Sequence, residues 1–211
     1  MKTPLIKIFA LTALLAVVAF GSSGCISASL LSTGKTERKV FGGSTPAGRE
    51  HVERYIGAPI LTKQLAALPS MDDFDILWSQ LNEYIPWVPK GSLSVYSKNL
   101  ADIQKRSQKS QESTKPFLYA RYNYKGQFIS SQLINNYVGA SVWFYGMTEP
   151  LLLPSAIWIR ATGHNHLNYI SVWYDENGRV VAYAWARREF SDPSSDGWQK
   201  QNNSKIPQKS P

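Results

Sequence analysis

The stretch LNYISVWYDENGRVVAYAWARRE, residues 167–189, decides the fold, because its pattern predicts a β-hairpin. Asn177-Gly178 is a strong signal for a tight turn between two strands. Successive side chains of a strand point to opposite faces, and here both faces carry apolar groups. We therefore expect large rings on one face and a helix packed on the face with the smaller residues.

The stretch FLYARYNYKGQFISSQLI, residues 117–134, precedes this hairpin and also alternates. Its alternation predicts further strands, with a turn at Lys125-Gly126. Together the two stretches predict an antiparallel sheet.

The segment TPAGREHVERYIGAP, residues 45–59, predicts a short helix. Thr45 suits the N-cap position, Pro46 suits the first helical position, and Gly57 suits a left-handed C-terminal cap. One apolar stripe at helical spacing is formed by Val52, Tyr55 and Ile56.

The segment SMDDFDILWSQLNEYIP, residues 70–86, predicts a second helix. Ser70 and Asp73 form a capping-box pattern, and acids in the first turn suit the helix dipole, so this acidic cluster needs no catalytic explanation. The apolar positions with helical spacing are Phe74, Leu77, Trp78, Leu81 and Ile85. The sequence thus predicts an α+β fold, with two or three short helices packed on an antiparallel sheet.

The N-terminal residues 1–24 predict a secretory signal peptide. Two lysines precede an uncharged apolar run, residues 8–20, and a run of small residues follows it. Because the apolar run is shorter than the roughly 20 residues that span a bilayer, we expect cleavage.

Cys25 is the only cysteine of the chain and follows Ser23-Gly24. This end of the signal resembles a bacterial lipobox, although Ser22 stands where that family usually has Leu. The resemblance implies cleavage before Cys25, with diacylglycerol on its thiol and an acyl chain on the new N-terminus. Several chains anchor a protein stably, whereas one binds only marginally. The alternative is an ordinary secreted protein with a chance cysteine.

Ile26 follows the cysteine where a retained lipoprotein of enteric bacteria would carry Asp. By that resemblance we expect a bacterial membrane location by lipid anchor, at the outer membrane and facing the periplasm. The cleaved chain keeps 187 residues and a formal charge of +6, since only two lysines leave with the signal. That basic balance favours anionic surfaces. We expect no nucleic-acid partner, because an exported lipoprotein does not meet nucleic acid and the sequence shows no nucleic-acid motif.

Composition divides the rest of the chain. Residues 25–45 predict a flexible tether, 46–190 a globular domain, and 191–211 a disordered polar tail. The basic segment 98–115 predicts either an exposed helix or a solvated loop.

The helix that ends in Ile56-Gly57 with Pro59, and the later Asp175 to Val180 turn, resemble small outer-membrane lipoproteins of the BamE (SmpA/OmlA) type. The resemblance implies a lipid-anchored α+β domain of the cell envelope. Residues 60–116 form a longer middle than that type has, so no partner is carried over from it.

Catalytic patterns give little support to an enzyme. Residues 1–211 contain no GxSxG, no phosphate-binding glycine loop and no HExxH motif. His164 and His166 could form a two-ligand metal edge, but a zinc site needs three or four ligands. We expect no metal and no cofactor, and the isolated acids Glu83, Glu149 and Glu189 share no spacing that indicates chemistry.

Most tryptophans and tyrosines fall at alternating strand positions, where core packing is the usual role. Trp87 and Trp198 lie outside the predicted elements, so we expect them to be exposed contacts for a partner. The sequence thus predicts a lipid-anchored envelope protein with a structural, assembly or protein-binding role. The alternatives are a cell-wall or glycan-binding lipoprotein and, third, an envelope enzyme of unknown substrate.

Overall fold

The computed structural model describes residues 26–81, 91–96, 116–143, 148–195 and 198. The helices of this part are α1 (Ile26–Ser32), α2 (Glu37–Phe41), α3 (Arg49–Ile56), α4 (Met71–Leu81), α5 (Ser131–Trp143) and α6 (Glu149–Thr162). The strands are β1 (Leu61–Leu65), β2 (Gly91–Val95), β3 (Phe117–Lys125), β4 (Leu167–Tyr174) and β5 (Val180–Ala186).

The chain divides into two compact units. The helical unit lies within Met1–Thr36 and Gln127–His164, and the sheet unit lies within Glu37–Gly126 and Asn165–Pro211. Each unit thus combines segments that are distant in the sequence.

The sheet unit holds all five described strands in the order β1-β3-β4-β5-β2, and every neighbouring pair is antiparallel. The predicted hairpin is confirmed, as β4 and β5 pair with Trp173 opposite Ala182. Its turn is stabilised by Asp175, whose Oδ1 accepts the backbone N–H groups of Asn177 at 2.9 Å and Arg179 at 2.8 Å.

Helices cover both faces of this sheet. On one side, which we call the alanine face, α4 packs its buried Phe74, Leu77 and Leu81 against three alanines of β5. On the other face Phe41 of α2 stacks on Tyr183 with ring centroids 3.9 Å apart, and α3 contacts β3. The α+β class and the helix on the small-residue face are confirmed.

Helix α3 begins later than predicted. It starts at Arg49 with Gly48 as N-cap, so Thr45 and Pro46 do not begin it. The reason is that the backbone just before it joins the hairpin: the Val180 N–H donates to the carbonyl oxygen of Ala47 at 2.9 Å. The predicted C-terminal end is right, since Gly57 has a φ of 92°.

Helix α4 confirms the predicted capping box. The Ser70 N–H donates to Asp73 Oδ2 at 3.0 Å, and the Asp73 N–H donates to Ser70 Oγ at 3.2 Å. Trp78, predicted on the apolar stripe, lies on the solvent side of the helix. The predicted continuation to residue 86 lies outside the described residues.

Two segments differ from their predictions. The alternating stretch 117–134 forms a strand only to Lys125, and its last residues open helix α5, where Ser130 Oγ accepts the Leu133 N–H at 3.0 Å. Within the predicted tether 25–45, residues 26–32 and 37–41 form helices α1 and α2 instead. The reason is burial: Leu31 of α1 and Phe41 of α2 are both fully buried.

The helical unit packs α1 against α5 and α6. Its core consists of Ala28, Leu31, Ile129, Leu133, Tyr137, Ala156 and Ile159. Gln127 connects the segment before α5 to helix α6. Its side-chain amide donates to the Ile159 carbonyl oxygen at 2.9 Å and accepts from the Arg160 guanidinium at 2.6 Å. Among the helices of the described ranges, none combines the length and apolar character needed to cross a membrane.

Candidate interaction edge and buried polar groups

A fully buried carboxylate, Asp192, lies against the alanine face of the sheet. Its Oδ2 accepts hydrogen bonds from the Tyr119 hydroxyl at 2.6 Å and from Ser171 Oγ at 2.8 Å, while its Oδ1 accepts the Ser194 N–H at 2.9 Å. Burial and the adjacent Asp192 carboxylate raise the pKa of Tyr119 well above its ordinary value. With its hydrogen bonds made inside the protein, this carboxylate fits a structural anchor better than a general base, which must reach its substrate.

The structure around Asp192 contradicts two predictions about the tail, residues 191–211. Ser194 Oγ accepts the indole N–H of Trp173 at 2.8 Å, and this ties the turn after Asp192 to the sheet. Beyond the turn Trp198 is only 6 % exposed and joins the core that α4 forms with the sheet. Trp198 is therefore not an exposed contact, and the described residues of the tail are packed rather than disordered.

A second buried carboxylate belongs to Glu37, the first residue of α2, which packs on the opposite face of the sheet. It accepts a hydrogen bond from the indole N–H of Trp185. Burial, and secondly the charge of Glu37, raise the pKa of Tyr96 to about 12. The same two causes raise the pKa of Tyr183 well above its ordinary value. Glu37 is thus a core group that couples α2 to β5.

The three histidines have separate surroundings. His51 uses its Nε2 to donate to the Lys39 carbonyl oxygen at 2.8 Å, and His164 is exposed. Burial, and then the positive charge of Arg187, lower the pKa of His166. A neighbouring guanidinium opposes the binding of a cation. Within the described residues no group of three or more His, Cys, Asp or Glu side chains is placed to hold a metal ion.

Of the three acids considered for catalysis, only Glu189 has a side chain that the structure describes. Glu189 is largely exposed and lies 3.5 Å from the guanidinium of Arg121. Glu83 and the side chain of Glu149 lie outside what the structure describes. Cys25 and Trp87, the predicted lipidation site and the other predicted contact, also lie outside it.

The sheet formed by the described strands has two edges, at β1 and β2, and the edge at β1 is a candidate surface for protein binding. Strand β1 pairs with β3 on one side, and no described strand pairs with its other side. Ile60 and Leu61 are both about half exposed here. We call residues 60–65 the edge surface. An exposed strand edge with apolar side chains can accept a strand from another protein.

Sequence reasoning missed both buried carboxylates and the edge surface. Asp192 stands in a polar run that is typical of a tail, and Glu37 stands among charged residues that indicate solvent. The only signal for Asp192 was local, because Asp-Pro-Ser-Ser is a pattern that favours turns.

Comparisons with protein-family models, with curated proteins and with solved structures gave no match to this chain.

Proposed function

We propose that this chain is a lipid-anchored protein of the bacterial cell envelope, with a structural, assembly or protein-binding role. The observation that carries the proposal is the position of its sole cysteine. Cys25 follows a basic start, an uncharged apolar run and four small residues, in the order that a lipoprotein signal requires.

The position of helix α1 supports an anchor at this point. Helix α1 (Ile26–Ser32) directly follows Cys25 in the sequence. Ala28 and Leu31 of α1 are buried in the core of the helical unit. A lipid on Cys25 would therefore hold a folded unit close to the membrane, because α1 starts at the next residue.

The edge surface supports the protein-binding part of the proposal. Its residues 61–64 are all exposed, and strand addition would supply main-chain hydrogen bonds to a partner. The resemblance of the Ile56-Gly57 helix end and the hairpin to BamE-type lipoproteins also favours an envelope role. The wall-binding alternative loses Trp198, which is buried, and would have to depend on Trp87.

Metabolic labelling tests the anchor. Cells that produce the protein and take up an alkyne-tagged fatty acid should label the wild type but not Cys25→Ala. Ser22→Leu is the matched control, since it places the usual lipobox residue and should keep the label. Equal labelling of wild type and Cys25→Ala would refute lipidation at this residue.

Site-specific photo-crosslinking tests the protein-binding role. A crosslinking amino acid at Leu61 should give a discrete adduct with an envelope protein in intact cells. The same group at Ile76, an exposed position on α4, should not give that adduct. Identical patterns from the two positions would argue against binding at the edge surface, and pelleting of the protein with purified peptidoglycan would favour the wall-binding alternative.

A further inference from the structure

The outer side of helix α6 is apolar along almost its whole length. Leu151 is 78 % exposed and Trp158 is 64 % exposed, and seven positions separate them, so both lie on one side of the helix. The exposed positions of α6 are Pro150, Leu151, Pro154, Ile157, Trp158, Ala161 and Thr162. Solvent-facing sides of helices normally carry charged or polar residues, whereas among these described exposed positions only Thr162 is polar.

The C-terminal end of α5 also carries exposed apolar residues. Trp143, its last residue, is 82 % exposed, and Val142 beside it is also exposed. The sequence of α5 contains no charged residue, and the charged residues of α6 are Glu149 and Arg160. We call the exposed residues of α6 together with Val142 and Trp143 the apolar surface. An exposed apolar surface of this kind is typical of an interaction site.

The position of helix α1, directly after Cys25, indicates what covers this surface. Helix α1 begins at Ile26 and packs against α5 and α6 within the same unit. If Cys25 carries the lipid, as the proposed function holds, the acyl chains enter the bilayer one residue from this unit. The unit that bears the apolar surface is then the part of the protein held nearest to lipid.

The residue types suit a lipid surface. Tryptophan is enriched at the boundary between headgroups and acyl chains, where its ring is apolar and its N–H remains hydrated. A surface of Trp, Leu, Ile and Pro without charge gains free energy by entering that boundary and loses no ion pair.

We propose that the apolar surface of the helical unit inserts into the interface of the lipid bilayer and acts as a second membrane contact beside the lipid on Cys25. This inference rests on the proposed lipid anchor. It assigns the helical unit to the membrane, while the edge surface of the sheet unit remains the candidate contact for a protein partner.

The test uses the full lipidated protein, because its sole cysteine is then modified and an introduced thiol is the only free one. Trp158→Cys and Leu151→Cys each receive an environment-sensitive fluorescent label, and the proteins are reconstituted in phospholipid vesicles. Gln132→Cys is the matched control, as it is exposed and polar, in the same unit, and roughly 16 Å along α5 from Trp143.

The labels at positions 158 and 151 should be quenched by brominated acyl chains and protected from aqueous iodide, with the reverse at position 132. Vesicle-bound, lipidated protein whose labels at 158 and 151 remain open to iodide would overturn this inference and leave the anchor intact. Energy transfer between labels of two copies would overturn it in favour of self-association. A protein without lipid on Cys25, measured by mass, would overturn the anchor and the inference together.

Discussion

The phenol of Tyr119 donates a 2.6 Å hydrogen bond to the carboxylate of Asp192, and both groups are buried. Tyr119 lies on strand β3, whereas Asp192 follows the last strand by six residues. This contact holds the segment after β5 against the alanine face and thereby closes the core that contains Trp198.

Replacing Asp192 should destabilise the protein strongly. Asp192→Ala leaves the buried hydroxyls of Tyr119 and Ser171 without their acceptor, so we expect the free energy of unfolding to fall by about 3 kcal/mol. Urea denaturation followed by tryptophan fluorescence measures the change. Asp75→Ala, at an exposed position of α4, is the control and should stay within about 0.5 kcal/mol of wild type. Similar losses in both variants would contradict the anchoring role.

The raised pKa of Tyr96, a half-buried residue, predicts a loss of stability at alkaline pH. Burial and Glu37 raise the pKa of Tyr96 from 10.0 to about 12. Below pH 10 this residue is protonated in both the folded and the unfolded chain, and its contribution is fully present. As the pH rises from 10 to 12 the unfolded chain releases the proton first, so the free energy of unfolding falls.

Tyr96→Phe isolates this effect. The variant should lose about 1 kcal/mol at neutral pH, since the hydroxyl donates to the carbonyl oxygens of Phe41 at 3.0 Å and Gly42 at 2.9 Å. Above pH 10 the free energy of unfolding of the variant should fall less steeply with pH than that of the wild type. The difference in slope corresponds to the release of at most one proton. Parallel stability curves over pH 10 to 12 would show that Tyr96 does not ionise as proposed.

The cap of helix α4 should contribute measurably. Ser70→Ala removes the hydroxyl that accepts the Asp73 N–H at 3.2 Å, and we expect a loss of about 1 kcal/mol in thermal or urea unfolding. Ser79→Ala is the matched control, because that hydroxyl bonds to the Ile76 carbonyl oxygen within the same helix and alanine favours a helix interior. The idea fails if the control loses as much stability as Ser70→Ala.

The hairpin turn requires glycine at position 178. Its φ is 72°, and an added Cβ would have its nearest neighbour 4.0 Å away at Arg49, so backbone strain is the only expected cost. Gly178→Ala should cost about 1–2 kcal/mol. Gly139→Ala, in helix α5 with open space around it, should instead stabilise by up to about 1 kcal/mol. A neutral Gly178→Ala would contradict the assigned turn.

Local signals explain how much of the fold could be predicted from the sequence. The Asn177-Gly178 turn and the Ser70–Asp73 capping box each depend on residues a few positions apart, and both are confirmed. Helix α5 was missed because Ile134, Tyr137 and Val138 favour strands, whereas packing in the helical unit decides their conformation.

The long-range contacts could not be predicted. Trp185 and Glu37 are 148 positions apart, and nothing in a polar segment indicates which distant ring will bury its acid. The sequence of helix α1 likewise predicts a tether, because the residues of α5 and α6 that bury Leu31 are distant in the sequence. The candidate edge surface depends on strand order, which no local pattern specifies.

The intact mass of the mature protein tests the central claim most directly. Wild type and Cys25→Ala would be expressed in a bacterial host, separated into membrane and soluble fractions, and weighed by mass spectrometry. We expect the wild type in membranes, beginning at Cys25 and heavier by a diacylglycerol and one acyl chain, and the variant uncleaved or without those lipids. A soluble wild-type protein that is cleaved elsewhere and carries no lipid would contradict the account.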